Sequence, residues 1–254
     1  MTFRMTVIGC SGSYPGPESP ASSYLLECAH EGRTWRILMD LGSGALGVLH
    51  RYADPLQIDA VFLSHLHADH CLDLCGYYVL RRYHPTGHAG RIPVWGPHGT
   101  ADRMARAYDL PLDPGMHEEF DFRIHDGLPV QVGPFSVVTT PVVHPVEAYA
   151  LRVTAEGRTL TFSGDTGPCR GLDEAAAGAD LLLAEAAFME GKDNPPDLHL
   201  TGREAGEAAT KAGVGRLVLT HVPAWHDPKV ALEEAADVYD GPIDLAHTGA
   251  VYKI

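Results

Sequence analysis

The sequence predicts an α/β fold in which two sheets pack together and helices lie on the outside. Strand patterns open the chain, a second set at hairpin spacing follows in its middle, and strand and helix patterns alternate in its last third. Strands first and βα units later are typical of such layered architectures. The 254 residues are enough to bury a sizeable core, and no repeat or linker divides them, so we expect one domain spanning 1–254.

Local patterns predict the individual elements. Residues 3–9 alternate in strand fashion, and the short apolar run 60–63, which polar residues bound, is typical of a buried strand. The segment 69–83 has the length and composition of a helix, so residues 65–69 lie at a strand-to-helix junction. The other predicted strands cover 22–28, 34–40, 129–132, 135–143, 149–153, 159–162, 180–184 and 217–220, and the other predicted helices cover 202–212 and 229–239.

Composition and charge exclude several classes of protein. The 19 Lys and Arg residues against 33 Asp and Glu residues give a formal net charge of −14, which disfavours generic binding to nucleic acid or to an anionic membrane. The five cysteines include no C-x-x-C pair, which argues against a disulfide framework and favours a reducing compartment. No apolar run approaches the roughly 18 residues of a membrane helix. We therefore expect a cytoplasmic protein without membrane contact.

The most informative string in the sequence is His65-Leu66-His67-Ala68-Asp69-His70. At the residue frequencies of this chain, chance produces such a string in roughly 0.004 of sequences. Alternate residues leaving a strand end point the same way, so His65 and His67 can bind one cation while Asp69 and His70 face a second. A polar loop without metal is the alternative, but burying three imidazoles and a carboxylate would then be costly. The string predicts two metal ions.

Two cations need more ligands than this string supplies. His144, Asp165 and His221 each follow a predicted strand, and loops at strand ends carry chemistry, although each residue alone is compatible with an ordinary polar position. A carboxylate can bridge two cations, so Asp165 can serve both. The expected ligand sets are His65, His67, His144 and Asp165 at one metal, and Asp69, His70, His221 and Asp165 at the other. Zinc is the expected metal, and manganese or iron suits the same nitrogen and oxygen ligands.

These residues, in this order and with Asp40 upstream, resemble the metallo-β-lactamase superfamily over almost the whole chain. The resemblance implies an αββα sandwich of two mixed sheets flanked by helices. Glu185 and His199 lie between the last two ligand positions, which resembles the ribonuclease Z branch and its phosphodiesterase relatives. The segments that look most like the actinobacterial, atypical class II-like cyclic-AMP phosphodiesterases are Gly9-Cys10-Ser11-Gly12-Ser13, Pro20-Ala21-Ser22, Arg82-Tyr83-His84-Pro85, Ser163-Gly164-Asp165-Thr166-Gly167 and Pro196-Asp197-Leu198-His199-Leu200.

One departure separates these two branches. Ribonuclease Z enzymes carry a Gly/Pro-rich arm for tRNA between the third histidine and the bridging aspartate, whereas His144 and Asp165 are only 21 positions apart, enough for one hairpin. Together with the negative charge, this favours a small substrate over a long nucleic acid. We expect a phosphodiesterase acting on a cyclic nucleotide such as 3′,5′-cyclic AMP. A tRNA 3′-processing endoribonuclease and a non-catalytic metal-binding protein are the alternatives.

Three residues receive catalytic roles in this hypothesis. Asp69 orients the attacking water and accepts its proton, and His199, paired with Glu185, protonates the leaving 3′ oxygen. Thr201 and Glu204 form a T-x-x-E capping box, so His199 lies just ahead of a helix N-terminus, where stabilising phosphate charge is a second role open to it.

Three further features leave alternatives open. Trp225 and His226 follow His221 closely and suit either stacking on a base or covering the rim of the site. The segment 42–47 matches G-x-G-x-x-G, but the next strand ends in Ser64 instead of an acidic residue, so we expect no dinucleotide site there. Relatives in this family often dimerise, so a homodimer is compatible with the resemblance.

Overall fold

The computed structural model describes residues 3–254. Its strands are β1 (Arg4–Gly9), β2 (Ser11–Gly12), β3 (Ser23–His30), β4 (Arg33–Met39), β5 (Ala60–Phe62), β6 (Ile92–Gly96), β7 (Phe120–Ile124), β8 (Val130–Val132), β9 (Phe135–Pro141), β10 (Tyr149–Ala155), β11 (Arg158–Phe162), β12 (Leu181–Glu185), β13 (Leu217–Thr220), β14 (Val222–Pro223), β15 (Ile243–Leu245) and β16 (Val251–Lys253). Its α-helices are α1 (Ala45–Leu49), α2 (Ala68–Cys71), α3 (Leu74–Tyr83), α4 (Thr100–Ala107), α5 (Arg170–Ala176), α6 (Gly202–Ala212) and α7 (Pro228–Ala236).

Two mixed sheets of seven strands each form the centre of the molecule. The first has the order β16-β1-β3-β4-β5-β6-β7, with parallel pairing from β4 to β7 and antiparallel pairing elsewhere. The second has the order β15-β13-β12-β11-β10-β9-β8, antiparallel from β8 to β11 and parallel from β11 to β15. β2 and β14 form a short parallel pair between the two halves of the chain.

Three apolar clusters define the layers. The inner faces of the two sheets share a core in which the rings of Tyr24 and Phe162 lie 5.0 Å apart. Helices cover the outer face of each sheet. The buried helix residues include Leu49, Leu74 and Met104 on the first sheet, and Leu172, Ala205 and Ala235 on the second. The predicted αββα sandwich of two mixed sheets is therefore confirmed.

The carboxyl ends of the parallel strands from both sheets meet at one edge of the sandwich. The backbone N–H of Tyr149 donates to the carbonyl of Ser64 across 3.0 Å, which joins the loop after β5 to the second sheet. The hydroxyls of Tyr24 and Thr220 form a 2.7 Å hydrogen bond between the sheets. These contacts bring loops from both sheets together at this edge, where open α/β folds place their sites.

The structure differs from the sequence prediction in several elements. The predicted helix 69–83 is two helices, because the backbone N–H of Asp73 donates to the carbonyl of Leu41 at 3.1 Å and not to the carbonyl four residues before it. Strands β6 and β7 and helices α4 and α5 were not predicted, and Pro93 within β6 obscures its strand pattern. The predicted capping box of α6 is confirmed. Among the described residues 3–254, no helix is both long and apolar enough to cross a membrane.

Candidate metal centre

The predicted ligand residues come together in two groups at this edge. In the first group, Nδ1 of His67 lies 3.0 Å from Nε2 of His65 and 3.2 Å from Nε2 of His144. His65 and His67 extend from the end of β5, whereas His144 follows β9 in the other sheet. Asp165 completes this group, with one ligand atom from each residue within 4.8 Å of every other.

The second group lies beside the first and shares Asp165 with it. Nε2 of His221 lies 3.1 Å from Nε2 of His70 and 3.1 Å from a carboxylate oxygen of Asp69. The Oδ2 atom of Asp165 is 3.3 Å from Nε2 of His70 and 3.6 Å from Nε2 of His65. Among the described residues, Asp165 is thus the side chain that both groups share, as a bridging ligand would be.

Hydrogen bonds on the far side of the imidazole rings fix their orientation. His70 pairs through Nδ1 with Asp40 at 2.7 Å, and Nδ1 of His144 donates to the carbonyl of Leu198 at 2.9 Å. The Nδ1 atom of His65 lies 3.1 Å from the hydroxyl of Ser64. In each ring Nε2 is left to face its donor group, which is the arrangement that metal-binding histidines adopt.

The donor chemistry fits divalent metal ions. Asp165 Oδ1, which lies 3.5 Å from Nε2 of His221, is buried and has no hydrogen-bond partner among the described residues. Three imidazole nitrogens that converge within about 3 Å cannot all be satisfied by hydrogen bonds to one another, because each neutral ring has one donor and one acceptor. Imidazole and carboxylate ligands suit zinc, manganese and iron. The two groups can therefore hold metal ions.

Burial and charge set the protonation of these groups. Burial lowers the pKa of His144 to about 4, against a smaller opposing effect of Asp165, so this ring is in the neutral form that binds metals. Burial also lowers the pKa of His65. Although burial raises the pKa of Asp165, the neighbouring His221, His70 and His65 outweigh it and hold the carboxyl ionised.

Glu185 and His199 form a further pair beside these groups. Glu185 ends β12 fully buried, accepts the backbone N–H groups of Thr166 and Ala187, and binds Nδ1 of His199 at 2.8 Å. Burial lowers the pKa of His199, but the charge and hydrogen bond of Glu185 outweigh it and raise the pKa to about 9. Nδ1 of His199 is 3.9 Å from Asp165, so the pair adjoins the donor groups.

A close backbone approach and an uncommon backbone conformation hold the site in shape. A Cβ atom on Gly42 would lie 1.8 Å from the carbonyl oxygen of Asp69, so only glycine allows this approach. Gly42 thus packs on the helical turn that carries Asp69. His221 has a φ of 57°, a conformation that non-glycine residues adopt mainly where surrounding structure imposes it.

Asp40 supports the site in a way that the sequence did not predict. Asp40 is fully buried and accepts hydrogen bonds from Ser22, from the backbone and hydroxyl of Ser64, and from His70. The sequence signal for this role was the position of Asp40 directly after β4. Strand β4 runs parallel to β5, and neighbouring parallel strands end at the same edge of a sheet. Asp40 orients His70 and so acts through that ring.

The fold and the site define a metallo-hydrolase of αββα architecture. The family model described as "Beta-lactamase superfamily domain" matches residues 35–222, and the chain belongs to this superfamily.

Known proteins resemble the chain along its full length. Uncharacterized protein Rv1339 of Mycobacterium tuberculosis (strain ATCC 25618 / H37Rv) is 45% identical over 259 residues, covering 100% of this chain and 93% of the relative. Ribonuclease Z of Myxococcus xanthus (strain DK1622) is 30% identical over 309 residues, covering 99% and 98%. The crystal structure of the metallo-β-lactamase fold protein YhfI from Bacillus subtilis superimposes with a TM-score of 0.87 at 28% identity, covering 100% of both chains.

Proposed function

We propose that this protein is a dinuclear metal-dependent phosphodiesterase that hydrolyses a small nucleotide diester such as 3′,5′-cyclic AMP. The observation that carries this proposal is the shared position of Asp165 between two donor groups, with the His199–Glu185 pair directly beside it. Two metal ions and an adjacent proton donor are one arrangement that can hydrolyse a phosphodiester in line. The likeness to ribonuclease Z, whose name describes a nuclease, supports a phosphodiester as the substrate.

The proposed ligands are the two predicted sets. When bound there, two divalent cations supply Lewis acidity to the phosphoryl oxygens and to the attacking water. Asp69 retains slight exposure at the opening of the site and has a pKa held below its usual range by His221 and His70, against the opposing effect of burial. Its carboxylate therefore accepts a hydrogen bond from the attacking water and orients that water toward phosphorus.

His199 acts on the opposite side of the reaction. Its Nδ1 is fixed by Glu185, so the remaining nitrogen, Nε2, is the one that can donate to the leaving 3′ oxygen. Glu185 is held in turn by two backbone N–H groups, which keeps the imidazole in one orientation. Glu185 is a positioning residue, and His199 is the proposed general acid.

The small substrate is supported by the segment between His144 and Asp165. The antiparallel hairpin of β10 and β11 takes up most of this segment, as its length predicts. The alignment with the Myxococcus ribonuclease Z extends over 309 positions although this chain has 254 residues, so the relative carries segments that this chain lacks. A short hairpin and a net charge of −14 provide little to bind a long polyanion.

The test is a substrate panel with metal-loaded protein. We expect hydrolysis of 3′,5′-cyclic AMP, assayed beside 2′,3′-cyclic AMP, bis(4-nitrophenyl) phosphate and precursor tRNA. Asp69→Ala should lower the rate about 100-fold to 10,000-fold, because the water loses its orienting group. Asp237→Ala, which removes an exposed carboxylate paired with Arg203, is the matched control and should leave the rate unchanged.

Two results would contradict the proposal. Cleavage of precursor tRNA without cleavage of any small diester would identify a ribonuclease Z-like enzyme. Metal binding without hydrolysis of any of the four substrates would favour a non-catalytic metal-binding protein.

A further inference from the structure

An exposed aromatic pair lies next to the metal centre. The rings of Tyr14 and Trp225 pack with their centroids 5.2 Å apart at an interplanar angle of 33°. Tyr14 is 41% exposed and Trp225 is 60% exposed, although burying such large rings is favourable. Two large aromatic faces held together in solvent are typical of a surface that binds a partner or ligand.

The loops that carry this pair are fixed against each other and against His221. β2 and β14 pair in register, with Val222 opposite Ser11 and Pro223 opposite Gly12. A Cβ atom on Gly12 would lie 2.1 Å from the carbonyl oxygen of His221, so the first loop lies directly on this residue. The two rings therefore sit on a rigid support beside the second donor group.

The loop that carries Tyr14 also contacts the second donor group. The backbone N–H of Ser13 points to Nε2 of His221 at 3.4 Å, and Tyr14 is the next residue along the chain. Trp225 follows His221 by four positions. A phosphate bound at the donor groups would therefore have the aromatic pair as a close neighbour.

The surroundings of the first donor group have a different chemistry. His67 lines a cavity of about 360 Å³ together with Arg103, His98 and Glu147. Glu147 is engaged by His98 and by the hydroxyl of Tyr149, whereas the side chain of Arg103 has no ion-pair partner within residues 3–254. Leu66, Pro97 and Val146 also line this cavity. Arg103 suits a phosphate or hydroxyl group of a substrate, while the two aromatic faces at the His221 end suit a base.

We propose that Tyr14 and Trp225 form a platform on which the base of the bound nucleotide stacks. This inference rests on the proposed function, since it assigns the nucleoside part of the substrate to the His221 side of the same site. Every nucleobase has a π face, so stacking tolerates different bases. The platform therefore selects nucleotides over other phosphodiesters and does not by itself select adenine.

Calorimetric binding of AMP and of ribose 5-phosphate to the metal-loaded protein tests the platform. The two probes differ in the base, so their affinity ratio measures the contribution of the base. We expect AMP to bind about 10-fold to 100-fold more tightly. Tyr14→Ala and Trp225→Ala should reduce this ratio toward one, and Trp225→Phe should retain most of it. Tyr83→Ala, which removes an aromatic side chain that is 65% exposed at the far end of α3, is the matched control.

Three results would overturn the platform. The wild-type protein would bind AMP no more tightly than ribose 5-phosphate, or Trp225→Ala would keep the full preference for AMP. Alternatively, Trp225→Ala would convert a dimer to a monomer in size-exclusion chromatography, which would identify the pair as a contact between copies of the chain. Failure of the proposed function is separate, because it appears as absent hydrolysis whether or not AMP binds tightly.

Discussion

The two halves of the chain supply the candidate metal centre in different ways. The first half contributes His65, His67, Asp69 and His70 from one continuous segment, the loop after β5 and the helix α2 that follows it. The second half contributes His144, Asp165 and His221 singly, from three separate strand ends. A local string makes the first half of the site visible in the sequence, whereas the second half depends on how the second sheet brings distant strand ends together. Four variants, in order of expected effect, test this division.

Asp165→Ala removes the side chain that belongs to both donor groups and should have the largest effect. We expect the bound metal to fall and the rate of phosphodiester hydrolysis to drop by about 10,000-fold or more, since the loss affects orientation and charge stabilisation together. Elemental analysis after gel filtration, together with the hydrolysis assay, measures both. Full metal content with normal activity would show that the metal centre does not need the ligand that the second half of the chain contributes to both donor groups.

Glu185→Gln, in the second half of the chain, weakens the hydrogen bond that orients His199. The amide of glutamine has nearly the shape of the carboxylate, but it lacks the negative charge that orients the imidazole of His199 and stabilises its protonated form. We therefore expect kcat to fall about 100-fold with little change in KM. Steady-state kinetics separate the two constants, and metal content should stay at the wild-type value. A change in KM alone would contradict the role of Glu185 as a positioning residue for proton transfer.

Asp40→Asn makes the equivalent change in the first half. The amide presents one acceptor where the carboxylate accepts four hydrogen bonds, and His70 loses the carboxylate that orients it. Metal affinity should fall about 10-fold to 100-fold, which a competition titration with a chelating dye measures. Equal affinity in the variant and the wild-type protein would mean that the backbone of the segment His65–His70 alone sets the ring orientation.

Gly42→Ala tests the close backbone contact beside Asp69, one of the ligands from the first half, and should have the smallest effect. The added Cβ collides with the carbonyl of Asp69, so we expect a loss of about 1 to 3 kcal/mol in the free energy of unfolding. Gly47→Ala in α1 is the control, because nothing lies within 4 Å of its Cβ and alanine favours helices by up to about 1 kcal/mol. Urea unfolding curves compare the two variants, and a stable Gly42→Ala protein would show that the loop can shift.

The sequence predicts the fold and the donor groups better than it predicts the residues that surround and orient the donor groups. Periodicity and the order of strands and helices predict two sheets, and the His65–His70 string predicts metal chemistry, because both signals are local. The hydrogen bond from His70 to Asp40 and the packing of Tyr14 on Trp225 join residues far apart in the chain. Such contacts depend on loop paths that no local pattern encodes, so they required the structure.

The shared Asp165 also has a thermodynamic consequence. Because the candidate ligands come from both sheets, an ion bound there favours the folded chain over the unfolded one, and the gain grows with the logarithm of the free metal concentration. A cell with little available metal would then hold a less stable form of the protein, which is degraded more readily. The abundance of the protein, as well as its activity, would follow the metal supply.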